Sequence, residues 1–361
     1  MYLLCIFGEN PPMKKLFYLL SLPVIFITAC IPTGNIPTYP AYDPSTIINK
    51  IVISSCCYSG GNLSIFRNMQ AKDADLYIAM GDNMYADNII SNPDYPNWIQ
   101  SQYNLLSNNM DYSNFRKSIQ SIATWDDHDY GLNNAGKEFP YKLQSKEKFM
   151  SFWQIQSTHD IRTHDGVYTS YLYGDAAHRV QVILLDCRNF LDVLSGEPIA
   201  PTTDTSKTIL GATQWAWFRQ QLQTPAKIRI IVSSTQFATG HNGWETWANF
   251  PHEMEKFYQA LRDANAEGAF VVSGDVHYAE YSKRTPANLY PIYDFTSSGL
   301  THTEYNPSNN PYRIGDAYRQ YNFGVVNIDW NASPVNITLE TCAFNGTVAK
   351  QISIPLDELK F

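Results

Sequence analysis

A chain of 361 residues with a hydrophobic fraction of 44% can bury a substantial core. Its formal net charge of -8 comes from acidic and basic residues mixed along the chain rather than blocked. The absence of a Lys/Arg stripe excludes a nucleic-acid binder of the usual electrostatic kind, and no feature demands an obligate protein partner.

In chain order, the first segment reads as a targeting signal. Met13-Lys14-Lys15 opens a positive region, and Leu16 to Ala29 is an apolar run too short to span a bilayer comfortably. Residues 1–29 are expected to be a signal peptide whose true start is Met13. The run ends in Ile27-Thr28-Ala29-Cys30, which is similar to a bacterial lipobox. Cys30 is therefore the expected lipidation site, the membrane an expected partner through that anchor, and the cell envelope the expected location; a plain signal peptide is the alternative. Residues 30–49 comprise Cys30 and a tether that Pro32, Pro37, Pro40 and Pro44 should keep extended. Residues 50–361 are left for a single domain.

Within that domain Ile51-Val-Ile predicts a strand, and Ile65, Phe66 and Met69 a helix. Leu76 to Met80 predicts the next strand, and Ile119 to Trp125 ends a third unit. Helical spacing recurs over Gln144–Gln154 and Gln214–Gln223. Val180–Leu185, Ile228–Val232 and Ala269–Val272 are continuous apolar runs, as expected of strands covered on both faces. From Phe323 onward the alternation predicts antiparallel strands. The ordering implies a layered α/β domain closed by C-terminal strands. Among the cysteines, Cys56 and Cys57 are adjacent, and a Cys187–Cys342 bridge stays open.

Four apolar strands end in a metal-ligand type of residue. They lead into Cys56, into Gly81-Asp82, into Asp126-Asp127-His128-Asp129 and into Gly274-Asp275-Val-His277. Open α/β sheets place ligands beyond the carboxyl ends of their strands, so these four ends are expected to converge. One Gly-Asp ending suits a turn; four such endings at equivalent positions point to a shared site. Asp275 and His277 are two apart and can point to one side. Tyr85, three residues after Asp82, is a further ligand candidate, although a tyrosine elsewhere is usually a packing residue. A thiolate, a phenolate and carboxylates together need a highly charged cation, because each must be deprotonated to ligate.

The motifs Ser55-Cys56, Gly81-Asp82-Asn-Met-Tyr85-Ala-Asp87, Thr124-Trp-Asp-Asp-His-Asp129 with Asn133, Leu185-Asp-Cys-Arg188 and Ser273-Gly-Asp-Val-His277 resemble the alkaline phosphatase D family. That family belongs to the calcineurin-like metallophosphoesterases, so the resemblance implies a four-layer α-β-β-α sandwich and hydrolysis of phosphate esters. It also implies iron near Cys56, Asp82, Tyr85, Asp275 and His277, with calcium served by Asp82, Asp127 and Asn133. The residues themselves leave a zinc or manganese pair open.

In such a site Arg188 is expected as a phosphate clamp, since guanidinium matches two phosphate oxygens. His128 is expected to protonate the leaving oxygen, with Asp129 orienting its ring. His241, in a Trp/Glu-rich loop, either approaches the metals or stays in solvent. A non-catalytic surface lipoprotein that binds metal or another ligand through the same loops is the alternative function. A carbohydrate hydrolase ranks last, because it leaves Cys56 and the Asp-His cluster unexplained.

Overall fold

The structure, a computed structural model, describes residues 38–86, 94–304 and 306–361. The expected signal peptide and Cys30 lie outside the described residues, as does Asp87. Among the described residues the chain forms twelve strands, β1 (Lys50–Ser54), β2 (Leu76–Met80), β3 (Gln120–Thr124), β4 (Thr169–Tyr173), β5 (Val180–Leu184), β6 (Ile228–Ser233), β7 (Ala269–Ser273), β8 (Ala279–Arg284), β9 (Ile292–Ser297), β10 (Asn322–Asp329), β11 (Asn336–Ala343) and β12 (Val348–Pro355). Seven helices accompany them: α1 (Ile65–Gln70), α2 (Tyr95–Asn108), α3 (Met110–Ser118), α4 (Asp127–Tyr130), α5 (Lys142–Phe152), α6 (Gly211–Leu222) and α7 (Pro251–Asp263).

Two sheets result, in the orders β12-β11-β10-β1-β2-β3 and β4-β5-β6-β7-β9-β8. In the first, β1, β2 and β3 run parallel, with Val52 beside Tyr77 and Ile78 beside Ile122. In the second, β5, β6 and β7 run parallel. Each parallel run therefore delivers the chain to one rim. Strand alternation then sorts the side chains. Ile51, Ile53, Ile78 and Met80 share a core with Val182, Ile230 and Val271 of the facing sheet. Val52, Tyr77 and Ala79 point the other way and pack under α1, α2, α3 and α5 through Phe66, Tyr103, Phe115 and Phe149. On the second sheet Phe218 of α6 and Phe257 of α7 stack at 5.4 Å. The layers are helix, sheet, sheet, helix, as expected.

Several elements lie outside the sequence reading: α2, α3, α7, β4, β8 and β9. The last two carry buried acids that interrupt an apolar run. On β9, Asp294 accepts hydrogen bonds from the Phe237 and Ala238 amides and from Ser273 Oγ. On β8, Glu280 is buried against Arg313 and Asn310. Both acids are satisfied by distant chain, which no local pattern reveals.

Two points that the sequence left open are answered among the described residues. The described part of the tether is not free: Tyr42 donates to the Leu172 carbonyl at 2.6 Å, and the Asp43 amide donates to Gln120 at 2.8 Å. This strip is fastened to the end strands β3 and β4, and on β4 the Tyr42 hydroxyl takes up both the amide and the carbonyl of Leu172, which the sheet edge leaves unpaired. Cys187 and Cys342 are buried free thiols, so no bridge joins them.

Candidate metal centre

Each ligand-type side chain is delivered by a sharp departure from its strand. Cys56, Asp82, Asp275 and His277 have φ of 61°, 50°, 80° and 61°. Non-glycine residues rarely occupy this left-handed region, and each such placement costs on the order of 1 kcal/mol or more. Four of them at one rim show a backbone bent to aim side chains rather than to minimise its own strain. Gly81, at φ 105°, also permits a close approach, since an added Cβ would lie 2.7 Å from Asp126 Cβ. Gly274 is equally confined, with Ser55 Cβ 2.8 Å from the same imagined atom.

The turns bring the four strand ends together. Donor atoms of Cys56, Asp82 and His277 lie within 4.8 Å of one another, as do those of Asp82, Asp127 and His128. Asp82 belongs to both groups. Its carboxylate is 3.4 Å from Cys56 Sγ, and the Cys57 amide donates to its carbonyl at 2.8 Å. Tyr85 Oη is 3.2 Å from His277 Nε2, and its ring lies against that of His128 with centroids 4.3 Å apart. The Asn134 amide donates to Asp127 Oδ2 at 2.7 Å.

Burial dominates the electrostatics. It pushes the Asp82 carboxyl well above its ordinary value, which His128 opposes and the charges of Asp127, Asp126 and Asp129 reinforce. Burial, then Asp82, raises the Cys56 thiol, and burial, then Cys56 and Asp82, raises the Tyr85 phenol. For Asp127 burial is outweighed by Arg188, His128 and the Asn134 amide, leaving its carboxyl below the ordinary value. His277 is pushed down to about 4 by burial and then by its histidine neighbours, so it stays neutral and able to ligate near pH 7. A packed set of buried acidic donors and one neutral imidazole is unfavourable alone. A bound cation relieves it, so the donor set fits a metal centre.

Three expected roles change on contact with the structure. Arg188 is wholly buried and presents no open fork. Its Nε pairs with Asp126 and its Nη1 donates to Glu245 at 2.6 Å, so it serves as counter-ion to two carboxylates. Asp129 does not orient the His128 ring. It accepts from the Asp126 amide at 2.7 Å, the Asp82 amide at 3.1 Å and Asn83 Nδ2 at 2.5 Å, fixing the turn that presents Asp82. His128 sits among the ligand-type donors, grouped with Asp82 and Asp127. Asn133 is exposed, and its neighbour Asn134 makes the contact with Asp127. Asp275 is half-buried and belongs to neither donor group, with its amide 3.5 Å from Ser55 Oγ. His241 is exposed, beside Asn249.

Sequence reasoning missed Asp126, Glu245 and His302 as parts of the site. Asp126 stood within a quoted motif and Glu245 within the Trp/Glu-rich loop, so both carried a signal. His302, whose ring stacks on His277 at 4.0 Å, stands in Thr-His-Thr-Glu and carried none.

Two packed sheets between helical layers, with metal-ligand side chains gathered at a common rim, define a sandwich of the metallophosphoesterase type. The PhoD-like phosphatase family model matches residues 51–320, and the chain belongs to that family. It is 23% identical to alkaline phosphatase D of Bacillus subtilis (strain 168), over 76% of this chain and 52% of that protein. The chain thus spans about half the length of that curated relative. Among solved structures, one of PhoD shares the fold at a TM-score of 0.65 and 15% identity, covering 88% of this chain and 70% of the other. A dimetal phosphatase from Danio rerio does so at 0.55 and 10% identity, covering 86% and 100%.

Proposed function

We propose that this protein hydrolyses phosphate esters, monoesters or diesters, with metal ions held by Cys56, Asp82, Tyr85, Asp127 and His277. The observation that carries the reading is Asp82, which belongs to both donor groups and so suits a ligand shared by two ions. Metals held side by side supply hydroxide near neutral pH and positive charge toward phosphoryl oxygens. The chain contributes the rest. Asp129 fixes the Asp82 turn, Arg188 balances Asp126 and Glu245, and His128, half-buried at the rim, is placed to give a proton to the leaving oxygen.

The thiol of Cys56 and the phenol of Tyr85 favour ferric iron, with Asp275 and His277 alongside, whereas the oxygens of Asp82 and Asp127 suit calcium. The test is hydrolysis of a chromogenic phosphodiester with and without chelator, combined with metal analysis. Activity lost to the chelator and restored by metal is the expected result, in a protein coloured by phenolate or thiolate charge transfer. Full activity without metal overturns the reading. A colourless, active zinc or manganese protein overturns iron alone.

Cys30 is the proposed anchor, on the strength of Ile27-Thr28-Ala29-Cys30, and would tether the domain at a membrane of the cell envelope. Mass measurement of the native N-terminus should find an acylated Cys30; an unmodified terminus beyond it removes the anchor.

A further inference from the structure

A cleft of about 530 Å³ opens beside the donor cluster, between the chain at 194–199 and the loop at 242–244. Two contacts tie it to the site. Asn134, in its wall, donates its amide to Asp127, and Glu245, which follows Trp244, holds Arg188. The wall includes Leu194, Pro198, Ile199 and the indole of Trp244, with Glu197 as its one charged residue among the described residues.

Trp244 is 64% exposed, yet the backbone that carries it is fixed. Its amide donates to Asn242 Oδ1 at 3.0 Å, and its carbonyl accepts from the buried Asn249 side chain at 2.7 Å. The preceding Gly243 carbonyl accepts from the Ile199 amide at 2.8 Å, drawing the loop against Pro198. A lone exposed apolar side chain means little. A backbone fixed by these three hydrogen bonds sets Trp244 in a wall that carries one acid and no cation. Asn134 places that wall one hydrogen bond from the Asp127 carboxylate, so the indole is a preorganised surface for a flat ring.

We infer that Trp244 stacks against an aromatic ring in the organic group of the substrate, making this site selective for esters whose alcohol is uncharged and aromatic. The inference rests on the phosphoesterase reading. A cleft wall with an acid and no cation disfavours a second anionic group in the alcohol.

The test compares benzyl and ethyl esters of phosphate, each as the monoester and as its methyl diester. The two alcohols differ little as leaving groups, so the ratio of kcat/KM reports the cleft. The parent should prefer benzyl by about tenfold, near the upper end of what an aromatic pair contributes, mostly through KM. Trp244→Ala should bring the ratio to within about twofold of unity, and Trp244→Phe should keep most of it. Because the ratio is internal to one preparation, partial loss of folded protein does not disturb it. Hydrolysis of both esters without preference, or a preference unchanged in Trp244→Ala, overturns the inference alone. Hydrolysis of neither ester, and of no chromogenic ester, overturns the phosphoesterase reading and this inference with it.

Discussion

Asp82→Asn should lose bound metal and turnover together, with kcat falling by on the order of a thousandfold or more. The substitution keeps the shape of the side chain and the bonds made by its backbone. It removes the negative charge that both donor groups share. The fold should not suffer, and the sign follows from the raised Asp82 carboxyl. A buried carboxyl whose folded value lies above its ordinary 3.8 stabilises the protein only while protonated. That contribution is complete below pH of about 4 and is lost as pH rises toward the folded value. Without metal, the neutral Asn variant should therefore melt at or above the parent at pH 8, and the gap should close toward pH 4. Metal content, kcat and melting curves at the two pH values check the three parts. A fully metallated, active Asp82→Asn protein would refute the shared-ligand role.

Arg188→Ala should be the most destabilising single change at this rim, by roughly 3–5 kcal/mol. The guanidinium is buried between Asp126 and Glu245, so its removal strands two carboxylates in low dielectric. Burial already raises both, Glu245 to about 7 even with Arg188 beside it. In the variant they should take up protons, so the loss should be smaller at pH 5 than at pH 8. Arg188→Lys should recover part of the stability, since a single ammonium cannot reproduce the fork. Chemical denaturation at both pH values measures this. A loss below about 1 kcal/mol would show that the pair is not a structural counter-ion and would restore the phosphate-clamp role.

The apolar runs that became β1, β2, β3 and β7 were legible because their pattern is local, and each ended on a ligand-type residue. The chemistry of that rim was therefore visible in Cys56, Asp82, Asp127 and His277 before any contact was known. Asp129 and Arg188 were recognised as members of the site, yet their tasks were misread. Asp129 was expected to serve the imidazole next to it in sequence. It instead holds the amides of Asp82 and Asp126, the first of them contributed by another strand end. Arg188 looked available because its partners stand 62 and 57 residues away in the chain.

The sequence by itself determined the layered α/β order, the strand ends and the kinds of donor they carry, because strand burial and turn preference are set by neighbouring residues. Only the tertiary structure decided which charges are spent on one another, which acids can be buried in β8 and β9, and that the strip through Tyr42 is fastened to the end strands of both sheets. A charged group's free energy depends on what surrounds it in space, and in this fold those surroundings come from distant chain.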